Sequence, residues 1–157
     1  MAKEIVITDA RKRELEEELN YRKGDLADEI SKKISEARAQ GDLSENAEYH
    51  AAREAQGKNE ARIKEIEHTI RTAKLIKDED ISENVIGVGN VFKILDVEMD
   101  EELEFEMVGE SANALENKIS KDSPVGGALE GHQKGDVVKV AIGDRTLEFK
   151  VLDVRRK

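Results

Sequence analysis

No cysteine and no tryptophan occurs in the chain, and Pro124 is its single proline. The missing thiols exclude disulfides and thiolate-held metals. Aromatic residues are only 3% of the 157 positions and apolar residues 38%, too few for one large core. No apolar run approaches the roughly 20 residues of a membrane span. Met1-Ala2-Lys3-Glu4-Ile5-Val6-Ile7 lacks the apolar stretch of a secretory signal. These absences predict a soluble, cytoplasmic protein. A basic face is lacking as well. The net charge is −10, and residues 79–157 carry 10 Lys+Arg against 18 Asp+Glu, whereas residues 1–78 carry 16 against 18. Coating DNA requires a basic face. Nucleic acid is therefore met locally or through a partner.

What the chain has in quantity is charge, 39% of its residues, laid over helical spacing. Thr8 suits a helix cap and Asp9 complements the dipole. From there to Gln40 only Gly24 interrupts, and Leu15, Leu19, Leu26, Ile30, Ile34 and Ala37 form one apolar stripe. Such a helix would run about 48 Å at 1.5 Å per residue. Beyond Gly41, the positions Ala52, Gln56, Asn59, Ile63, Ile66, Ile70 and Ala73 alternate by four and three, the spacing of a coiled-coil seam. The short connection predicts an antiparallel hairpin, held less tightly at its tip, where the seam is small or polar. Charges cluster at Lys77-Asp78-Glu79-Asp80 and the heptads stop, which puts a domain boundary between 78 and 79. Strands are expected at 91–97, 102–108, 136–142 and 146–154, with a Gly143-Asp144 turn between the last two. Ser123 and Pro124 open a short helix over 125–130. The fold class is α+β: a helical hairpin over 1–78, then a small antiparallel sheet domain with one short helix over 79–157.

The tip reads Gly41-Asp42-Leu43-Ser44-Glu45-Asn46-Ala47-Glu48-Tyr49, with two carboxylates three positions apart. One reading is a capping box, with Asp42 as cap and Glu45 reaching back to its amide. The other is an incomplete Mg²⁺ site. Two carboxylates offer hard oxygens but cannot fill an octahedral shell alone, so the metal would be shared with another enzyme's active site. Arg38 and Arg53 could then meet a phosphate backbone; otherwise they are salt-bridge partners of Glu48 or Glu54. Both carboxylates turned onto their own backbone would end the metal reading.

The run from Glu36 through the tip to Ala47-Glu48-Tyr49-His50-Ala51-Ala52-Arg53-Glu54 closely resembles the signature of the bacterial transcript cleavage factors, the Gre family. Leu43 and the residues after Asn46 resemble its GreA type. A second match, Ile119-Ser120-Lys121-Asp122-Ser123-Pro124-Val125-Gly126-Gly127, with Phe105-Glu106-Met107-Val108-Gly109 before it, resembles the family's FKBP-like C-terminal domain. The resemblance implies a factor that binds backtracked bacterial RNA polymerase through its secondary channel and stimulates cleavage of the nascent RNA 3′ end. It implies that Asp42 and Glu45 are the catalytic positions, sharing Mg²⁺ with the polymerase and binding none alone. It gives Ser44, Asn46, Tyr49 and Arg53 supporting places at the tip, and Arg38 and Arg53 contacts to RNA. The cleavage belongs to the polymerase, and the chain is an accessory factor rather than an enzyme by itself.

Gly127 stands where the family pattern has a basic residue, and Ala10 where the early helix often has Gly. Prolyl isomerisation, suggested by an FKBP-like domain, is not expected, because Phe92, Phe105 and Phe149 alternate as core residues. His50, His68 and His132 are too scattered for a metal site and are expected to be solvated or packed in the hairpin. A seam satisfied within one chain predicts a monomer. Two alternatives stand beside cleavage: a channel inhibitor of the same architecture, and a coiled-coil scaffold whose tip is only a capped turn.

Overall fold

The Pro-free stretch after Thr8 folds as helix, but in two pieces. A computed structural model of the chain describes residues 5–110 and 116–157. Helix α1 spans Asp9–Lys23 and helix α2 Asp25–Arg38. Gly24 sits between them at φ −101°, ψ −102°, outside helical values. The hydrogen-bond ladder survives on either side: Gly24 N donates to Asn20 O and Asp28 N to Gly24 O, both at 3.0 Å. A single straight helix is therefore corrected to a bent pair, with the break at the glycine. Thr8 is the last residue of strand β1, Val6–Thr8.

Helix α3 spans Ala47–Thr72, about 39 Å at 1.5 Å per residue. It packs on α2 along the predicted stripe and seam. Leu15, Ile30, Ile34, Ala37, Ala52 and Ile66 are buried. The distal half of the hairpin has its own cluster of Ile30, Ile34 and Ala52, with Leu26 and Tyr49 packed against it. There α2 supplies Leu26, Ile30 and Ile34, and α3 supplies Ala52 and Tyr49, the last lying outside the predicted seam. The polar seam residue Asn59 is buried at 5% exposure. It is satisfied by Arg22, donating from Nδ2 to the Arg22 carbonyl at 2.9 Å and accepting at Oδ1 from the guanidinium at 3.1 Å. Glu18 joins them. Arg62 grips it bidentately at 2.9 and 3.1 Å, and Arg22 Nε lies 2.6 Å away. These two guanidinium groups hold the Glu18 carboxyl well below its ordinary range, at about 2, against a partial penalty of burial.

The second compact unit comprises residues 1–10 and 74–157, while residues 11–73 form the hairpin unit. Strand β2, Lys74–Ile76, pairs in parallel with β1, Ile7 opposite Leu75. Both strands are three residues long, too short to show alternation in sequence. The main sheet has the order β5-β4-β3-β7-β6. Its strands are β3 Asn90–Asp96, β4 Glu101–Val108, β5 Lys118–Ser120, β6 Val137–Ile142 and β7 Arg145–Arg156. All pairings are antiparallel except β4 with β5. Gly143, at φ 61°, and Asp144 close the β6–β7 hairpin as expected. Helix α4, Pro124–Leu129, has Ser123 as cap, its hydroxyl accepting from Gly126 N at 3.0 Å. Phe92, Ile94, Met107, Leu129 and Phe149 lie in the sheet unit's core and Phe105 packs against it, so all three phenylalanines are structural. Among the described residues no helix is long and apolar enough to cross a membrane.

Candidate functional site at the hairpin tip

Helix α2 stops at Arg38 because Gly41, at φ +117°, turns the chain out of the helix. A 3₁₀ turn, Leu43–Glu45, follows, and α3 begins two residues later. In this local geometry the two carboxylates take different places. Asp42 caps the 3₁₀ turn through Oδ1, which accepts from Ser44 N at 3.0 Å and from Ser44 Oγ at 2.9 Å. Those donors lower the Asp42 pKa below its ordinary value, the backbone amide first, so the exposed side chain is a carboxylate at neutral pH. The Glu45 side chain is exposed and makes no hydrogen bond or ion pair among the described residues.

The capping box is thus corrected. Glu45 does not reach back, since the turn it ends is not the first turn of α3. The cap of α3 is Asn46, whose Oδ1 accepts from Tyr49 N at 3.1 Å. Its Nδ2 donates to Ala37 O at 2.7 Å, so one side chain ties the start of α3 to the last turn of α2. Only one of the two acids is turned onto the backbone, and it is held there by one oxygen.

The surrounding residues divide into those that converge and those that do not. The Arg38 guanidinium lies over the Tyr49 ring, 5.9 Å from its centroid. Arg53 donates to Gln56 at 2.7 Å, one turn along α3. The salt bridges considered for these arginines do not form; Glu54 pairs with Lys58 at 3.2 Å instead. Asp42, Ser44, Glu45, Asn46 and Tyr49 share the turn and the start of α3, while Arg53 stands a turn beyond. One tip residue escaped sequence reasoning. The Nε2 of His50 lies 3.3 Å from the Ser44 carbonyl, and its ring meets Tyr49 edge-on at 5.7 Å. His68 sits beside Arg71 and His132 beside Asp136, each within its own element or loop. Among the described residues no three His, Asp or Glu side chains group as a metal site. Asp42 and Glu45 suit Mg²⁺ in donor chemistry but supply only part of an octahedral shell.

Comparison with known proteins covers both units. Residues 5–75 match the family described as "Transcription elongation factor, N-terminal", and residues 81–156 match "Transcription elongation factor, GreA/GreB, C-term". The transcription elongation factor GreA of Lachnoclostridium phytofermentans is 41% identical, covering 98% of this chain and 97% of that protein. That of Acetivibrio thermocellus is also 41% identical, covering 98% of each. Among solved structures, the GreA factor homolog Gfh1 of Thermus thermophilus is 30% identical, covers 98% of this chain and 99% of that one, and superposes with a TM-score of 0.44.

Proposed function

This chain belongs to the GreA/GreB family of transcription elongation factors, and from that premise we propose that it stimulates transcript cleavage by bacterial RNA polymerase. The factor acts on a backtracked or arrested complex in the cytoplasm, where the RNA 3′ end has been extruded. The sheet unit holds the polymerase at its secondary channel, and the hairpin enters that channel. Asp42 and Glu45 are the residues that would hold an Mg²⁺ jointly with the polymerase. When bound, that ion would activate a water and stabilise charge at the phosphodiester.

The observation that carries this reading is the state of the two acids. Ser44 uses one oxygen of the exposed Asp42 carboxylate and lowers its pKa further, and Glu45 stands exposed beside it. Asn46 and Tyr49 fix the start of α3 behind the acids, and Arg38 and Arg53 supply positive charge towards RNA phosphates. The ends of the chain's role are therefore binding, positioning and charge, with bond cleavage left to the polymerase. We place the factor as a monomer.

A stalled bacterial elongation complex with labelled RNA tests the proposal. The parent protein should yield shortened RNA and restart elongation in Mg²⁺. Asp42→Ala with Glu45→Ala should reduce the cleavage rate by more than about 100-fold, since loss even of groups that only orient metal ligands typically costs about 10- to 100-fold. Undiminished cleavage by the double variant would refute the assignment. Slowed elongation without shortened RNA would instead identify a channel inhibitor.

A further inference from the structure

We propose that His50 is a positioning residue for the acidic tip, fixing the Ser44–Glu45 peptide through its imidazole; the inference rests on the cleavage role given above. The Nε2 of His50 lies 3.3 Å from Ser44 O. A carbonyl only accepts, so in this contact the imidazole donates from its Nε2–H tautomer. The Ser44 carbonyl and the Glu45 amide share one rigid plane. Holding that carbonyl therefore sets the direction in which the chain enters Glu45. The same residue, Ser44, holds Asp42 from its N–H and hydroxyl. Ser44 thus meets Asp42 on its N-terminal side and leads into Glu45 on the other, and His50 is its side-chain tie to α3.

The tie has a firm anchor. The His50 ring meets Tyr49 edge-on at 5.7 Å and 65°. Tyr49 packs against the buried cluster of Ile30, Ile34 and Ala52. Arg38 covers its ring from α2. A continuous set of contacts therefore runs from the hairpin core to the turn. Asn46 secures the end of the turn, its side chain hydrogen-bonding Ala37 O and Tyr49 N. Without His50 the only side-chain bonds within residues 42–45 are those Asp42 makes locally to Ser44.

Two measurements on the full chain separate this from a merely structural role. Nitrogen-15 relaxation of the free protein reports the order of residues 43–45. His50→Ala should drop their order parameters from about 0.85 to below about 0.6, while α3 stays rigid. His50→Gln, whose Nε2 is equally far from Cα, should restore them. In the cleavage assay at saturating factor, His50→Ala should lower the maximal rate about tenfold or more, with the half-saturating concentration unchanged, and His50→Gln should recover most of it. Unchanged order of the turn in His50→Ala would overturn the inference, as would a full maximal rate. A parent protein giving no shortened RNA would overturn the cleavage reading and with it any positioning for cleavage, while the relaxation data would still decide whether His50 holds the turn.

Discussion

Gly126 and Gly127 stand side by side in α4 and face opposite constraints. A Cβ on Gly126 would run into the backbone carbonyl of Ser120, which the Ser123 hydroxyl also needs at 2.7 Å. A Cβ on Gly127 would come 3.2 Å from the Lys121 carbonyl, a contact that a small shift relieves. Gly126→Ala should therefore cost about 1–3 kcal/mol, as overpacking does. Gly127→Ala should be close to neutral, since the gain of up to about 1 kcal/mol in helix propensity offsets the crowding. Urea unfolding of the two variants checks the difference. Single residues were legible in the sequence only where their role follows from type and spacing. Asp42 and Glu45 stood out by spacing and by resemblance, and Ser123 and Pro124 by capping rules. The parts played by Ser44, Asn46 and His50 depend on the turn being 3₁₀ with α3 starting at Ala47, and a start at Asp42 is equally consistent with the same letters.

At the scale of elements, periodicity located what is long. The stripe of α2, the seam of α3 and strands β3, β4, β6 and β7 lie close to where the spacing put them. Strands β1, β2 and β5 carry three residues each and leave no period to read. The bend at Gly24 is visible as a glycine, but its partner is not: the Arg22 carbonyl is taken by Asn59, 37 residues away. The neighbouring Glu18 cluster gives the hairpin a pH dependence. Its folded pKa, about 2, is below the unfolded value of about 4.5. The stabilisation is therefore present above pH 4.5 and lost as pH falls towards 2. Salt should weaken it, since the side chains are about a quarter exposed. Thermal melts followed by helical circular dichroism should show a fall in midpoint across that window for the parent and a flatter profile for Glu18→Gln.

On the scale of the whole molecule, the chain begins and ends in one unit and makes the other as an excursion. Residues 11–73 leave after β1 and return at β2, and those two strands pair with each other, Val6 opposite Lys74. Family membership covers both units, whereas the sequence boundary after residue 78 divided them by charge and heptads alone and had no means of seeing β1 beside β2. Removing seven residues from α2 and seven from α3 in matched seam positions should leave the sheet unit folded and shorten the hairpin itself by about 10 Å. Cleavage stimulation should then disappear while polymerase binding remains, as measured by RNA release and by co-sedimentation. The parallel β1–β2 ladder makes this possible. It acts as a clasp around an insertion, so whole heptads can be cut from or added to the hairpin while Val6 still meets Lys74.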